Sequence, residues 1–487
     1  MTSVDSFPTI IQGGMGVAVS NWRLARAVSL RGQLGVVSGT ALDTVMVRRL
    51  QDGDPGGHMR RAIARFPLPD FASKTLELFF RPDGRAPGEP YRLLPMYRQH
   101  VSRDRQQLTI LANFVEVFLA KEGHGGVVGL NLLTKVQMPT LPSLYGAMLA
   151  GVDYVLMGAG IPREIPGALD ALSEHRLASL KFDVDSLPPS DALLLKIDPH
   201  ELGFDTGAPL RRPRFLPIIS ASSLATTLAR KANGSVEGFI VEGPTAGGHN
   251  APPRGEPRFN DRGEPVYGDR DAVDLDKLRD IGLPFWLAGG TGSPAGLAEA
   301  LATGAAGIQV GTLFAFCEES GFADHLKRDV LDHAARGEVD VFTDPRASPT
   351  GYPFKVVTWA GDETAHRTRE RKCDLGYLRI AYKREDGRID YRCAAEPVAD
   401  YVRKGGVESD TVGRRCLCNA LTANVGQAQP RSGGEDEPPL LTSGDDLLSI
   451  AEFLRGRTTY TAGDVIDYLL GRDVAAASVL ELAESRA

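Results

Sequence analysis

Eight short apolar runs recur along the chain, most of them bounded by glycine or other turn residues. Runs of this length and composition are typical of strands buried on both faces of a parallel sheet. Helix-like segments that end at Gly or Asn-Gly lie between most of them. Eight strands alternating with helices predict an α/β protein, a TIM (β/α)8 barrel. The predicted strands are Thr9–Gln12, Leu34–Ser38, Val127–Leu132, Tyr154–Met157, Phe215–Ser220, Gly238–Glu242, Phe285–Ala288 and Gly307–Val310.

Other stretches do not fit simple connections between strand and helix. A ninth apolar run, Leu193–Ile197, is interpreted as part of a loop excursion outside the barrel. Residues 41–126 are rich in helix formers and predict a helical insertion after the second strand, because unstructured loops of that length are uncommon. Ser443 and Thr461 each precede an Asp by three residues, which predicts two capped helices. The predicted boundaries are 1–343 for the barrel, 344–430 for a cysteine-containing accessory module, 431–442 for an acidic linker and 443–487 for C-terminal helices.

The charge balance excludes some classes of partner. The 487 residues include 55 Lys and Arg against 62 Asp and Glu, a net charge of −7. Such a chain lacks the basic field that grips nucleic acid or an anionic membrane. It also lacks a secretory leader pattern and any apolar stretch long enough to span a bilayer. We therefore expect a cytoplasmic protein with a small-molecule ligand.

Glycine clusters follow four of the predicted strands, and in a parallel barrel the loops after the strands form the face that carries the site. Turn chemistry would explain one such cluster, whereas four on one face predict a backbone that approaches a flat or anionic ligand. A dinucleotide fingerprint fails on spacing, and a P-loop fails because no Gly-Lys-Ser or Gly-Lys-Thr occurs. The loops after strands seven and eight often bind phosphate. The predicted phosphate donors are Gly289, Gly290, Gly292, Gly311 and Thr312.

Four motifs together carry a resemblance to a known family: QGGMG at 12–16, EGPTAGGH at 242–249, AGGTG at 288–292 and ALATGAAGIQVGTLF at 300–314. Over roughly residues 5–320 the chain resembles the nitronate monooxygenases, which bind FMN in a TIM barrel. It is also similar to the flavin-dependent enoyl reductase subunits of polyketide and polyunsaturated fatty acid synthases. The resemblance implies that residues 1–343 form an FMN-binding barrel.

The resemblance implies a catalytic role for His249, the histidine of the GGH motif, beside the flavin. An imidazole with an unperturbed pKa near 6.5 can accept and return a proton near neutral pH. The ordinary alternative is a structural histidine bonded to a nearby carbonyl.

The same resemblance implies a set of residues that surround the cofactor and substrate. Met15 as a core residue, and Ser220 or Ser222 as a helix cap, are the ordinary alternatives. The segment SPTGYPFK, residues 348–355, is predicted to fold over the mouth of the pocket. The implied cofactor residues are Gln12, Gly13, Gly14, Met15, Asn131, Ser220, Ser222, Glu242, Gly247, Gly248, Gly289, Gly290, Gln309, Gly311 and Thr312, and the predicted substrate residues are Tyr352, Phe354 and Lys355.

Four cysteines lie within the accessory module. Four thiolates can close a zinc site or hold an iron–sulfur cluster, and zinc is the favoured metal of the two. Long gaps and a C-x-C spacing favour buried thiols instead. The candidate ligands are Cys373, Cys393, Cys416 and Cys418.

Three functions remain open from the sequence. The first is an FMN-dependent oxidoreductase of the nitronate monooxygenase type that oxidises nitronates or nitroalkanes with O2. The second is an NAD(P)H-dependent flavin reductase that acts on an enoyl thioester, as a partner of a synthase complex, or on a quinone. The third is a barrel that serves such a complex as a scaffold without catalysis.

Overall fold

Eight parallel strands form a closed barrel in the computed structural model, which describes residues 7–205, 207–359, 361–362, 370–431 and 436–472. The strands are β1 Ile10–Gln12, β2 Gly35–Ser38, β3 Val128–Leu133, β4 Tyr154–Gly158, β5 Ala178–Phe182, β6 Val184–Asp185, β7 Leu193–Ile197, β8 Arg214–Ile219, β9 Phe239–Glu242, β10 Phe285–Ala288, β11 Gly307–Val310, β12 Val339–Asp344, β13 Phe354–Trp359, β14 Ile380–Lys383 and β15 Ile389–Arg392. The hydrogen-bonded order in the barrel is β1-β11-β10-β9-β8-β4-β3-β2. A parallel bridge between Ile11 and Leu34 joins the two ends of this order. All eight predicted strands are confirmed, each end within one residue.

The barrel interior is a packed apolar core, as closure of an eight-stranded barrel requires. Trp286 is fully buried in it, and its indole N–H donates to the Pro8 carbonyl at 2.7 Å. The side chains of Ile11, Leu156 and Ile240 belong to the same cluster. This core closes the floor of the barrel, so that a ligand has room only at the rim.

Helices surround the barrel. The helix Arg103–Lys121 lies in the ring, because it packs against both Trp22–Leu30 and Thr140–Leu149. It is the last helix of segment 41–126. The helices are α1 Trp22–Leu30, α2 Leu42–Gln51, α3 His58–Ile63, α4 Pro69–Phe79, α5 Arg103–Lys121, α6 Thr140–Leu149, α7 Ile165–Ser173, α8 Ser222–Lys231, α9 Leu275–Ile281, α10 Pro294–Ala302, α11 Thr312–Ala315, α12 Asp324–Ala335, α13 Val398–Arg403, α14 Leu417–Ala423, α15 Ile450–Leu454 and α16 Ala462–Leu469.

The ninth apolar run lies outside the barrel, as the sequence indicated. It forms β7, which pairs antiparallel with β5 in a separate two-stranded sheet. Its alternating burial is typical of a strand with one covered face, whereas the barrel strands are almost wholly buried.

The region after the barrel is folded against it. Strands β12 and β13 form an antiparallel hairpin, and β14 and β15 form another across the predicted Asp386-Gly387 turn. In the described part of segment 431–442, Leu440 and Leu441 are buried. Residues 432–435 and 473–487 of the predicted linker and tail lie outside the described residues.

The two predicted helix caps differ in outcome: one is present and the other is not. Thr461 caps α16 through a full capping box with Asp464, as predicted. The prediction for Ser443 is wrong, because its hydroxyl is directed to Thr312 Oγ1 at 3.3 Å. Within the described ranges, no helix has the length and apolar character that crossing a membrane requires.

Candidate active site

A cavity of about 450 Å³ opens at the rim of the barrel, among the glycine-rich loops that follow the strands. Its volume is within the range of about 300–1,000 Å³ typical of sites for small molecules and cofactors. Most of the residues predicted for the site meet here. Those that line the cavity are Gly13, Gly14, Met15, Asn131, Ser220, Glu242, Gly247, Gly248, His249, Gly289, Gln309, Gly311, Thr312, Tyr352 and Phe354.

Four residues predicted for the cofactor or substrate do not line the cavity, and neither does the predicted phosphate donor Gly292. Gln12 is fully buried in the closure of the barrel, where its amide donates to Ser20 Oγ and accepts from the Val36 N–H. Ser222 begins α8, so that its position belongs to the helix and not to the cavity wall. Gly290 lies behind Gly289, with the Thr245 side chain next to it.

Lys355 is the fourth, and its assignment to substrate is a correction. Its side chain turns away from the cavity because alternate residues of β13 face opposite sides. The ammonium group donates to Thr343 Oγ1 at 3.0 Å and forms an ion pair with Asp445 at 2.7 Å. Burial of this lysine with a carboxylate partner makes it a structural tie between the hairpin and the chain beyond 440.

His249 lies on the cavity wall and is held by the loop between β12 and β13. Its Nε2 is 2.7 Å from the hydroxyl of Ser348. The ring meets Phe354 edge-on, with centroids 4.9 Å apart. Burial, with a smaller contribution from the positive charge of Lys135, lowers the pKa of His249 to about 4. The imidazole is therefore neutral at pH 7, in contrast to the near-neutral titration expected from the sequence.

Glu242 is the second titratable side chain in the cavity. It ends β9, level with Ala288 on the neighbouring strand. Burial alone raises the pKa of its carboxyl group to about 8. At neutral pH the group is a protonated acid that can donate a hydrogen bond, which a carboxylate cannot do.

The side chains around the cavity fit the flavin that the sequence resemblance implies. Asn131 Oδ1 and Gln309 Oε1 are buried and have no hydrogen-bond partner among the described residues. Buried polar atoms of this kind require a partner, and a ring system with polar edges supplies one. Gly289 has a φ of 87°, a left-handed conformation that favours glycine. The helix α11 begins at Thr312 without a side-chain cap.

Residues 442–446, here called the strap, form one wall of the same cavity through Thr442, Ser443, Gly444 and Asp446. The Gly444 N–H donates to Thr312 Oγ1 at 3.0 Å. The Gly248 N–H donates to Thr442 Oγ1 at 2.9 Å. The Asp446 carboxylate accepts from the Gly292 N–H, so that one predicted phosphate donor is already occupied by a side chain of the protein. The strap thus ties together the loops after three barrel strands.

The accessory module supplies an apolar arm of the cavity. Leu378, Leu417 and Leu421 line it, and the thiol-bearing Cys418 lies beside them. Sequence reasoning did not place these residues or the strap at the cavity, because nothing in their local pattern indicates which distant loops they contact. Ser348 was within the segment predicted to cover the mouth, although its contact with His249 was not foreseen.

The zinc interpretation of the four cysteines is not supported. No group of three or more His, Cys, Asp or Glu side chains in the described part of the chain has a geometry that could hold a metal ion. Burial raises the pKa of the thiols of Cys373, Cys393 and Cys418. Buried free cysteine commonly serves as a small core residue.

Comparison with known proteins identifies relatives of the barrel. Residues 209–343 match the family model described as nitronate monooxygenase. A nitronate monooxygenase of Paraburkholderia phytofirmans is 31% identical over 159 residues, which are 31% of this chain and 41% of the relative. The chain thus aligns with about two fifths of the length of that curated relative.

Solved structures that align with nearly the whole of this chain have low sequence identity to it. FabK from Thermotoga maritima is 17% identical with a TM-score of 0.46, and the alignment covers 99% of this chain and 97% of that one. A nitroalkane oxidase from Streptomyces ansochromogenes is 15% identical with a TM-score of 0.45, over 98% of this chain and 99% of that one.

Proposed function

We propose that this chain, whose residues 209–343 match the nitronate monooxygenase family model, is an FMN-dependent oxidoreductase that oxidises nitronates with O2. The observation that carries the proposal is the cavity at the barrel rim, where His249 stands among buried polar atoms that have no partner in the described protein. When bound, FMN supplies the electron transfer that no side chain can perform.

The protonation states of the cavity favour a substrate that arrives as an anion. A neutral imidazole with a pKa of about 4 is a weak base, and removal of a proton from a neutral nitroalkane requires a stronger one. A nitronate has already lost that proton. Its oxygens accept hydrogen bonds, and the protonated Glu242 carboxyl is a donor in the same cavity. His249 then orients the substrate.

A second candidate is the NAD(P)H-dependent reduction of an enoyl thioester. The apolar arm lined by Leu378, Leu417 and Leu421 supports it, because an acyl chain would bury its methylene groups there. In this case NAD(P)H would be the electron donor, and the thioester would reach the cavity on a carrier or synthase partner.

Anaerobic mixing of the purified protein with one donor at a time separates these functions. The protein should show the visible absorption band of a flavin, and propyl-2-nitronate should bleach that band without NAD(P)H. Bleaching by NAD(P)H alone would replace the first function by the second. A colourless protein that cannot be reconstituted with FMN would favour the scaffold. Heat-denatured protein with added FMN is the control for reactions in solution.

Substitution of Gly444 by alanine tests the part that the strap plays in holding the flavin. A β-carbon there would lie 2.9 Å from the Thr245 carbonyl oxygen and 3.0 Å from Thr312 Oγ1. Overpacking of this kind costs about 1–3 kcal/mol, so we expect the strap to shift and the FMN dissociation constant to rise about tenfold or more. Fluorescence titration of the apoprotein with FMN measures this.

Gly125→Ala is the matched control for that titration, since nothing lies within 4 Å of a β-carbon at Gly125. Equal FMN affinity in the Gly444 and Gly125 variants would mean that the strap does not support the flavin.

A further inference from the structure

The imidazole of His249 is fixed on its Nε2 side. Nε2 is 2.7 Å from Ser348 Oγ, and Ser348 is fully buried. The same hydroxyl is 2.8 Å from Thr350 Oγ1 and accepts from the Thr350 N–H at 3.2 Å. A buried hydroxyl with three partners has no freedom to release the ring without the loss of hydrogen bonds.

The backbone around His249 is held by the same loop. The Lys355 N–H donates to the Gly248 carbonyl at 2.9 Å, and the Asn250 N–H donates to the Pro353 carbonyl at 3.0 Å. His249 and Phe354 thus form an antiparallel bridge. A 180° rotation of the ring about Cβ–Cγ would put the carbon Cε1 in place of Nε2 and break the Ser348 hydrogen bond, while the bridge holds the main chain in place.

The two sides of the ring differ in what they face. His249 lines the cavity, whereas Ser348 does not. Nε2 is therefore directed into the protein, toward the loop. Nδ1 has no hydrogen-bond partner among the described residues, so it is available to a molecule bound in the cavity.

We propose that His249 acts on substrate or flavin through Nδ1, and that Ser348 is the positioning residue that reserves this nitrogen by occupying Nε2. The inference rests on the proposed flavin site and adds the identity of the working atom. It holds for either direction of the Ser348 hydrogen bond: a donating hydroxyl leaves Nδ1–H as a donor, and an accepting hydroxyl leaves Nδ1 as an acceptor.

A matched pair of amide variants tests which nitrogen works. The side-chain amide of Asn reaches about as far as Nδ1 of histidine, and that of Gln reaches about as far as Nε2. We expect His249→Asn to retain at least about tenfold more turnover than His249→Gln, with flavin bound equally in both, because only Asn leaves a polar atom at the working position. Equal turnover, or higher turnover in His249→Gln, would overturn the proposal.

Ser348→Ala tests the positioning role. We expect kcat to fall about tenfold or more with little change in KM, because the ring loses its orientation while the cavity keeps its walls. A rise in KM alone, with kcat unchanged, would indicate a role in packing and not in positioning.

Nitrogen-15 spectra of histidine-labelled holoprotein give a readout that needs no turnover. His249→Asn assigns the two ring resonances. Ser348→Ala should move the Nε2 resonance, and propyl-2-nitronate should move that of Nδ1. An unmoved Nε2 resonance in Ser348→Ala, or a shift of Nε2 by the nitronate, would contradict the inference. The failure of the proposed function would look different: the flavin would not be bleached, whereas the Ser348 effect on Nε2 would persist.

Discussion

Replacement of His249 by alanine should lower kcat/KM for the nitronate by about 10²–10⁴-fold, the range typical of the loss of a positioned acid, base or hydrogen-bonding group. The residue lines the cavity, and its ring is held in one orientation by Ser348 and Phe354. Alanine removes the polar atom and leaves the flavin contacts of the other loops in place. We therefore expect the visible flavin spectrum to be retained. Steady-state oxygen consumption measures the loss.

His325→Ala is the matched control, since His325 is exposed on α12 and lies outside the cavity wall. A loss of activity that accompanies loss of the flavin spectrum would assign His249 to cofactor binding instead. The low pKa of His249 also predicts how turnover depends on pH, because the ring is neutral throughout the range above about pH 4. Its titration should therefore cause no fall in turnover as the pH drops from 7 to 5.

Glu242→Gln should remove a large pH dependence of stability. Burial raises the pKa of this carboxyl from 4.5 to about 8 in the folded protein. Between these values the unfolded chain is ionised and the folded one is protonated, so stability falls as the pH rises and levels off above about 8. The full difference is about 4–5 kcal/mol at about 1.4 kcal/mol for each pKa unit. Glutamine has no such titration.

Urea unfolding at pH 5 and pH 8.5 measures the effect, with flavin content matched between the two proteins. The unfolding free energy of the wild type should fall relative to that of the variant by several kcal/mol between the two pH values. Other groups titrate in both proteins and cancel in the comparison. Parallel pH profiles of the two proteins would mean that Glu242 is ionised in the folded state at neutral pH.

The barrel could be predicted from the sequence because each of its strands is specified by a short, continuous stretch of residues. Each strand is a short apolar run such as Phe285–Ala288, whose ends are marked by residues that favour turns. Closure then follows from the count of strands and the alternation with helices. The glycine loops are predictable for the same reason, since they follow the strands directly and their shared face is a consequence of parallel order.

The rest of the site depends on contacts between distant parts of the chain. The strap has no local signature, and Lys355 was assigned to the wrong side of its strand because the register of β13 is set by its pairing with β12. The pKa of His249 reflects burial and the charge of Lys135, which only the assembled fold reveals. The cysteines carry a pattern that suits either a metal or a packed core, and their surroundings decide between the two.

The strap also bears on when the cavity is completed during synthesis of the chain. The barrel strands are complete once the ribosome has passed Val310, and the N-terminal part of a chain generally folds first. One wall of the cavity, however, consists of residues 442–446, so a nascent chain that stops short of Asp446 has a formed barrel with an open rim. If the proposed flavin binds in this cavity, its site is completed only after residues 442–446 have been made, and a chain that ends before them lacks one wall of that site.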